Sequence, residues 1–164
     1  MRDLVAAVEK RSADIIARLV KAGSSAEQIR DAVARCIEAS DAEILDVLLK
    51  CGANPNVRLP GLDWTLLHLA IEHHDVASAA VLLKHGANVG LTDASGCTPL
   101  HHAVDVEADG AQQSGLPPKP VLTRLLLEAG ADPHAIDAGG KTPIDIAREY
   151  GYADGLAEMG ARLR

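Results

Sequence analysis

Short apolar stretches recur along the chain, and each of them runs into a glycine. They read IIARLVKAG, ILDVLLKCG, AAVLLKHG and VLTRLLLEAG, and they end at Gly23, Gly52, Gly86 and Gly130. Each stretch carries paired apolar residues before the glycine, which is typical of a helix buried on one side. The glycine fits a left-handed position just past the last helical residue, a conformation that glycine adopts at little cost. The pattern therefore predicts four outer helices.

A small residue stands at a fixed distance before these glycines. Ala7, Cys36 and Ala70 each lie 16 residues before their glycine, whereas Ala103 lies 27 residues before Gly130. We expect the small residue to let an inner helix approach its neighbour closely. The sequence thus predicts pairs of helices, with 11 inserted residues in the fourth pair.

A second pattern, T-P-L-H-x-A, precedes the later apolar stretches. The segments 64–89 and 97–133 share it, and Thr65 and Thr98 stand 33 residues apart. Thr142 and Pro143 open a final copy, KTPIDIAREYGY. A fixed period of this length indicates a repeat architecture. Since one repeat cannot bury its own apolar face, the repeats must stack into an elongated solenoid with one continuous core.

The blocks Thr98-Pro99-Leu100-His101, Thr142-Pro143 and Thr65-Leu66-Leu67-His68 resemble the signature of ankyrin repeat proteins. The resemblance implies an all-α ankyrin-repeat solenoid of about five helix–turn–helix units, with short β-hairpin fingers at 57–64, 89–97 and 135–141. It implies a single domain over 1–164, with approximate repeats 1–24, 25–57, 58–91 and 92–135 and a C-terminal cap at 136–164. In that family the Thr caps the inner helix and the Pro takes its first position.

The early repeats depart from this signature. Only 8 residues separate Gly23 from Asp31, so we expect the finger between the first two repeats to be shortened or absent. The family also places a glycine between the paired helices, which this chain keeps only at Gly151. Other residues occupy that position in the first three repeats: Arg11, Ser40 and His74.

The insertion in the fourth repeat covers 105–120 and reads DVEADGAQQSGLPPKP. Its Gly, Pro, Gln and Ser content predicts a loop. The start, DVEADG, resembles the first half of an EF-hand calcium loop, but Leu116 replaces the bidentate Glu of position twelve, so a solvated acidic loop is the favoured interpretation. The segment 116–120, LPPKP, fits either a polyproline II ligand for a partner or a stiff spacer before the outer helix, and we favour the spacer.

Composition and charge narrow the possible partners. Apolar residues make up 48% of the chain, aromatic residues 2%, and there is no Phe, so the core must be built from Ala, Leu, Val and Ile. A net charge of −7 without a Lys/Arg cluster argues against nucleic-acid binding.

No apolar run reaches the roughly 18 residues of a membrane span. The N-terminus becomes charged too early for a signal peptide, which predicts a cytoplasmic protein and leaves open a secreted effector without a recognisable signal.

The reactive side chains predict structural roles. Cys36, Cys51 and Cys97 are odd in number and lack metal-ligand spacing, so we expect reduced thiols and no metal or cofactor. His68 and His101 share one motif position in successive repeats, about 10 Å apart, which is too far to share an ion. We expect each imidazole to hydrogen-bond locally and to bridge to the adjoining backbone. No nucleophile elbow, zinc-protease or phosphate-loop motif occurs, so no enzyme activity is expected.

The resemblance implies protein–protein interaction by a monomer, through the concave surface formed by the fingers and the inner-helix ends. This surface tends to be acidic towards the fourth repeat, so we expect a partner with some basic character. Trp64 is expected either to anchor the partner or to pack across neighbouring fingers, with equal weight.

The alternative function is that of a regulatory or scaffold subunit that acts through the inserted loop 105–120, with calcium or metal responsiveness as one form of it. The family's variable positions give the expected partner-binding residues: Arg58, Leu59, Leu62, Trp64, Glu72, His73, Thr92, Ala94, Ser95, Cys97, Asp105, Val106, Ile136, Ala138, Lys141, Glu149 and Tyr150.

Overall fold

The computed structural model of the protein describes residues 4–61, 63–114 and 119–160. Ten helices lie within these ranges. They are α1 (Leu4–Glu9), α2 (Ala13–Lys21), α3 (Ala26–Glu38), α4 (Ala42–Lys50), α5 (Leu66–Glu72), α6 (Val76–Lys84), α7 (Pro99–Ser114), α8 (Val121–Glu128), α9 (Pro143–Tyr150) and α10 (Ala153–Glu158).

The helices form two layers. The odd-numbered helices pack in chain order from α1 to α9, and the even-numbered helices pack in the same order from α2 to α10. Each odd helix also packs on the even helix that follows it. The result is a stack of five helix pairs, which confirms the predicted all-α ankyrin-repeat solenoid.

The core is built from small and branched aliphatic side chains. The small residues expected on the inner helices are fully buried at Cys36, Ala70 and Ala103, and Ala7 is almost so. Opposite them, the outer helices bury Leu residues. The absence of a large side chain at the inner positions lets successive inner helices approach closely, and dense packing of this kind stabilises each interface between repeats. The fully buried outer-layer leucines are Leu45, Leu48, Leu82, Leu126 and Leu156.

The fingers are tight turns. A backbone hydrogen bond joins the two sides of each finger, from Leu59 N–H to Trp64 C=O at 2.7 Å, from Asp93 N–H to Cys97 C=O at 2.9 Å, and from Asp137 N–H to Lys141 C=O at 3.0 Å. Within the described ranges the β pairing amounts to one isolated bridge, between Arg58 and Thr65. The expected shortening of the finger between the first two repeats is confirmed, because only four residues separate α2 from α3.

Side chains cap the inner helices even where the T-P-L-H signature is missing. Thr142 and Asp145 form a reciprocal capping box at the start of α9. Ser25 and Gln28 form the same box at the start of α3, in a repeat that lacks the signature. Since the capping box satisfies backbone N–H groups that would otherwise lack partners, the early repeats keep the physical function of the motif with different residues.

The junction inside four of the helix pairs, the first three and the last, has a left-handed backbone. Arg11, Ser40 and His74 have φ of 50°, 51° and 51°, and Gly151 has φ of 66° at the equivalent place. The glycines that end the outer helices adopt the same region, with φ between 86° and 97° for the four predicted in the sequence. A side chain in this region is strained, because its Cβ approaches the following carbonyl oxygen.

Relief of this strain should stabilise the protein. We expect Ser40→Gly, at an exposed site, to raise the free energy of unfolding by about 1 kcal/mol in urea titrations. The matched control is Ala39→Gly, where φ is −90° and glycine should destabilise instead. Equal effects of the two substitutions would contradict a strained backbone at Ser40.

The prediction of a loop at 105–120 is wrong for its first ten residues. Asp105–Ser114 continue α7, which makes it the longest inner helix described. Ala, Glu and Gln favour a helix, and Gly110 is the residue of lowest helical propensity before 115, so helical propensity outweighs the loop-like composition of the segment's end. The EF-hand resemblance also fails, because a helix cannot wrap its carboxylates around an ion as that loop does. The segment 116–118 of LPPKP lies outside the described residues.

Glu107, inside the insertion, is buried and holds the start of α8. Its carboxylate accepts hydrogen bonds from Leu122 N–H at 2.6 Å and from Thr123 N–H at 3.3 Å. It also accepts from the hydroxyls of Thr123 and Tyr152, at 2.6 and 3.2 Å. Pro120 at the N-cap position makes no side-chain cap. A carboxylate from the preceding helix therefore caps α8, and burial raises the pKa of this carboxyl against the opposing effect of those hydrogen bonds.

Removal of this cap should weaken the fourth repeat. We expect Glu107→Ala to lower the free energy of unfolding by at least about 2 kcal/mol, because buried donors lose their acceptor. Glu107→Gln should cost less, since its amide oxygen still accepts from α8. The exposed Glu128→Ala on α8 is the control, and urea unfolding is the measurement. A Glu107→Ala variant as stable as the wild type would refute the capping role.

Candidate functional site

A cleft of about 640 Å³ opens on the concave side of the stack. It lies between the second finger (89–97), the third finger (135–141) and the inner helices α7 and α9. We call it the concave cleft. Its lining residues are Asp93, Ser95, Cys97, His101, His102, Asp105, Asp137, Lys141, Ile146, Glu149 and Tyr150.

The two fingers that flank the cleft are joined by their backbones. Ala138 N–H donates to Ser95 C=O at 2.9 Å. Gly96 has φ of 76°, and a Cβ on it would stand 2.8 Å from Ala138 N. Only glycine fits this contact, since both the backbone angle and the close approach exclude a side chain. The position of one finger relative to the other is thus fixed by backbone contacts.

The first finger (57–64) is tied to the second. The Arg58 guanidinium donates to Thr92 C=O at 2.7 Å and to the Asp63 carboxylate at 2.8 Å. Leu59 is half-buried against the core. These two predicted contact residues are therefore occupied in holding the finger, while Leu62 lies outside the described residues.

Trp64 leans across the neighbouring repeat. Its half-buried ring meets the His102 ring of α7 edge-on, with centroids 5.2 Å apart. The His102 ring makes a similar contact with His68, at 5.0 Å. Trp64 therefore packs onto the next inner helix while part of its ring stays accessible beside the cleft.

The wall formed by α7 and α9 is polar. Tyr150 donates its hydroxyl to Asp105 at 2.9 Å, and the Lys141 ammonium pairs with Glu149 at 2.7 Å. The hydrogen bond to Asp105 raises the pKa of Tyr150. Four carboxylates, those of Asp93, Asp105, Asp137 and Glu149, line the cleft beside the one ammonium, so the cleft favours a positively charged occupant.

The remaining predicted contact residues are not among those that line the cleft. Thr92 is half-buried and Val106 packs against the core, while Ala94, Ala138, Glu72 and His73 are exposed. Ile136 is exposed over 66% of its surface, at the edge of the third finger. The structure thus brings together six of the predicted residues within the cleft: Ser95, Cys97, Asp105, Lys141, Glu149 and Tyr150.

The two motif histidines are structural, as predicted. His68 Nδ1 accepts from Thr65 N–H at 3.2 Å, so its Nε2–H donates to Cys97 C=O at 3.1 Å. His101 repeats this arrangement with Thr98 N–H at 3.1 Å and Lys141 C=O at 3.1 Å. Each imidazole thus links the start of an inner helix to the next finger. Burial lowers the pKa of His68 to about 4 and also lowers the pKa of His101, so both are neutral at pH 7.

Comparison with known proteins agrees with this architecture. A family profile described as ankyrin repeats in three copies matches residues 32–113, and a single ankyrin-repeat profile matches residues 95–138. The chain belongs to the ankyrin-repeat family. Within the described residues, no helix of this ankyrin-repeat chain is long and apolar enough to cross a membrane.

Several named ankyrin-repeat proteins are similar to it. The ankyrin repeat protein FPV031 of fowlpox virus is 32% identical over 88% of this chain and 42% of its own length. YahD of Escherichia coli is 37% identical over 52% of this chain and 40% of its own length. Human ankyrin repeat and SOCS box protein 6 is 30% identical over 72% of this chain and 26% of its own length. The chain therefore spans less than half of each of these relatives.

Four cleft residues were not predicted from the sequence: Asp93, His102, Asp137 and Ile146. Asp93 accepts from the N–H groups of Ser95 and Cys97 at 2.8 and 2.9 Å, and from His102 Nε2 at 3.1 Å. Burial opposes its charge, but these hydrogen bonds outweigh burial and lower the pKa of Asp93. A signal was present, because Asp93 and Asp137 stand at the same place, four residues before Cys97 and Lys141.

Acid should destabilise the protein through His68. The neutral imidazole is required in the folded state, whereas in the unfolded chain it takes up a proton near pH 6.5. Stability should therefore be constant above about pH 6.5 and fall between pH 6.5 and 4, by of order 3 kcal/mol from this residue. Urea unfolding across this range measures the slope. In His68→Asn the slope should flatten, whereas the exposed His73→Asn should keep it; equal slopes in wild type and His68→Asn would contradict this assignment.

Proposed function

We propose that this ankyrin-repeat chain binds a partner protein through the concave cleft and that it acts by binding rather than by catalysis. The observation that carries the proposal is a preformed cleft whose carboxylates outnumber its cations. The partner would present a Lys or Arg side chain to Asp105 and its neighbours, with a flat apolar or aromatic group against Tyr150.

Rigidity supports binding at this place. The second and third fingers share a backbone hydrogen bond, and the Arg58 side chain ties the first finger to Thr92 C=O. Because these surfaces are ordered before the partner arrives, little conformational entropy is lost on association. Tyr150 and Trp64 add amphipathic rings at the edge of the cleft, and residues of these types often dominate interface energies.

The chemistry of the side chains supports binding without catalysis. Burial and the nearby carboxylates raise the pKa of Cys97 to about 11, so this residue is a thiol rather than a nucleophilic thiolate. His68 and His101 spend both ring nitrogens on structural hydrogen bonds. In this proposal the chain works as a monomer in the cytoplasm, where its unpaired cysteines would stay reduced.

Peptide selection with the intact chain tests the proposal. Random peptides displayed on phage and selected on the wild-type protein should be enriched in Lys and Arg. Their affinity, measured by calorimetry, should fall about tenfold or more with Tyr150→Ala and with Asp105→Asn, which removes a charge but keeps an acceptor for Tyr150. Affinity should also fall as salt is raised.

The charge-matched control is Glu128→Gln, on the exposed face of α8. Its affinity for the selected peptides should equal that of the wild type. Selected peptides without basic residues, or peptides that bind both cleft variants as tightly as the wild type, would overturn the proposal. Light scattering on the same samples checks that the chain is monomeric.

A further inference from the structure

Asp93, Cys97 and His102 bring three kinds of metal ligand together at one side of the concave cleft. One carboxylate oxygen, the Cys97 sulfur and one imidazole nitrogen all lie within 4.8 Å of one another. All three residues are half-buried, and they line a cleft that is open to solvent. We propose that these residues bind a zinc ion, with a fourth coordination position that faces the cleft.

The distances are close to those of a coordinated ion. In tetrahedral zinc sites the bonds to N and O are about 2.0–2.2 Å and the bond to S is about 2.3 Å, which places ligand atoms roughly 3.3–3.8 Å apart. Asp93 Oδ2 and His102 Nε2 already stand 3.1 Å apart. Since no pair exceeds 4.8 Å, side-chain shifts of about 1 Å would complete the geometry.

The ligands are held in place by their neighbours. Asp93 Oδ1 accepts from the N–H groups of Ser95 and Cys97, which leaves Oδ2 directed at His102. The His102 ring is braced edge-on by Trp64 and by His68. Such outer contacts fix the orientation of the ligands and strengthen metal sites.

The electrostatic surroundings favour a cation. Asp137 Oδ2 lies 4.0 Å from Cys97 Sγ, while Asp137 Oδ1 is held by the N–H groups of Gly139 and Lys141. Asp137 Oδ2 is therefore placed to accept a hydrogen bond from a zinc-bound water, or to approach the fourth coordination position of the zinc itself. A mixed set of thiolate, imidazole and carboxylate suits zinc better than calcium or magnesium, which prefer oxygen ligands alone.

Binding requires two proton movements. The Cys97 thiol releases its proton to solvent when the thiolate bonds to zinc. The zinc-bound His102 ring carries its one proton on Nδ1, because Nε2 must offer its lone pair to the ion. The hydrogen bond between His102 and Asp93 is replaced by two bonds to zinc.

Cobalt and zinc titrations of the full chain test the site. The reduced protein, stripped with a chelator, should bind one equivalent of Co²⁺ with a thiolate-to-cobalt charge-transfer band and the visible bands of tetrahedral cobalt. Zn²⁺ should then displace the cobalt. The site needs no partner protein, so this result is independent of the peptide-binding test above.

Variants separate the site from adventitious surface binding. Cys97→Ser should abolish the charge-transfer band, and His102→Asn should weaken Zn²⁺ binding by at least about tenfold. Cys51→Ser and His73→Asn are the matched controls and should bind as the wild type does. Circular dichroism at pH 7 checks that each variant is folded. If Cys97→Ser does not fold, His102→Gln takes its place as the test variant. A wild-type protein without the band, a band that survives Cys97→Ser, or Zn²⁺ affinity unchanged by the His102 substitutions would overturn the proposal.

Discussion

The bridge made by a buried, neutral imidazole is the interaction on which the concave side depends. His68 and His101 each accept a hydrogen bond from the N–H of the Thr three residues before them and donate to the backbone of the next finger. The bridge joins the start of a helix to the next finger, two elements that share no helix or strand pairing within the described residues. It therefore sets where each finger stands relative to the helix of the preceding repeat. These two imidazole bridges therefore also position the carboxylates of the cleft.

The fourth repeat shows how a solenoid absorbs an insertion. The added residues prolong α7, and Glu107 on that prolongation caps α8 and accepts from Tyr152 of the fifth repeat. A deletion of 106–116 would consequently remove a buried part of the core, although the sequence spacing suggests a dispensable segment. Stacking continues past the insertion, because α7 packs on both α8 and α9 and Glu107 supplies polar contacts to both repeats.

Much of the fold follows from the sequence, because glycine positions, small residues and capping motifs act locally and repeat with a fixed period. The left-handed positions of Arg11, Ser40 and His74 can be recognised in the sequence only because each aligns with Gly151 of the last repeat. The site was less predictable. Asp93 and His102 are separated along the chain, and their approach depends on how the second finger folds back over α7. The insertion was misread because its final prolines and glycine outweighed ten residues with ordinary helical propensity.

The contact between Gly96 and Ala138 has a consequence for how such a protein can change its specificity. The frame of the cleft is fixed at one position where no other residue fits, while exposed side chains beside it, such as those of Ala94, Ser95 and Ile136, carry no structural hydrogen bond through their side-chain atoms. Substitutions are therefore tolerated at these exposed residues, whereas no substitution is tolerated at Gly96, where the two fingers touch. New recognition surfaces can arise by substitution of these exposed residues alone, without any change in how the stack folds.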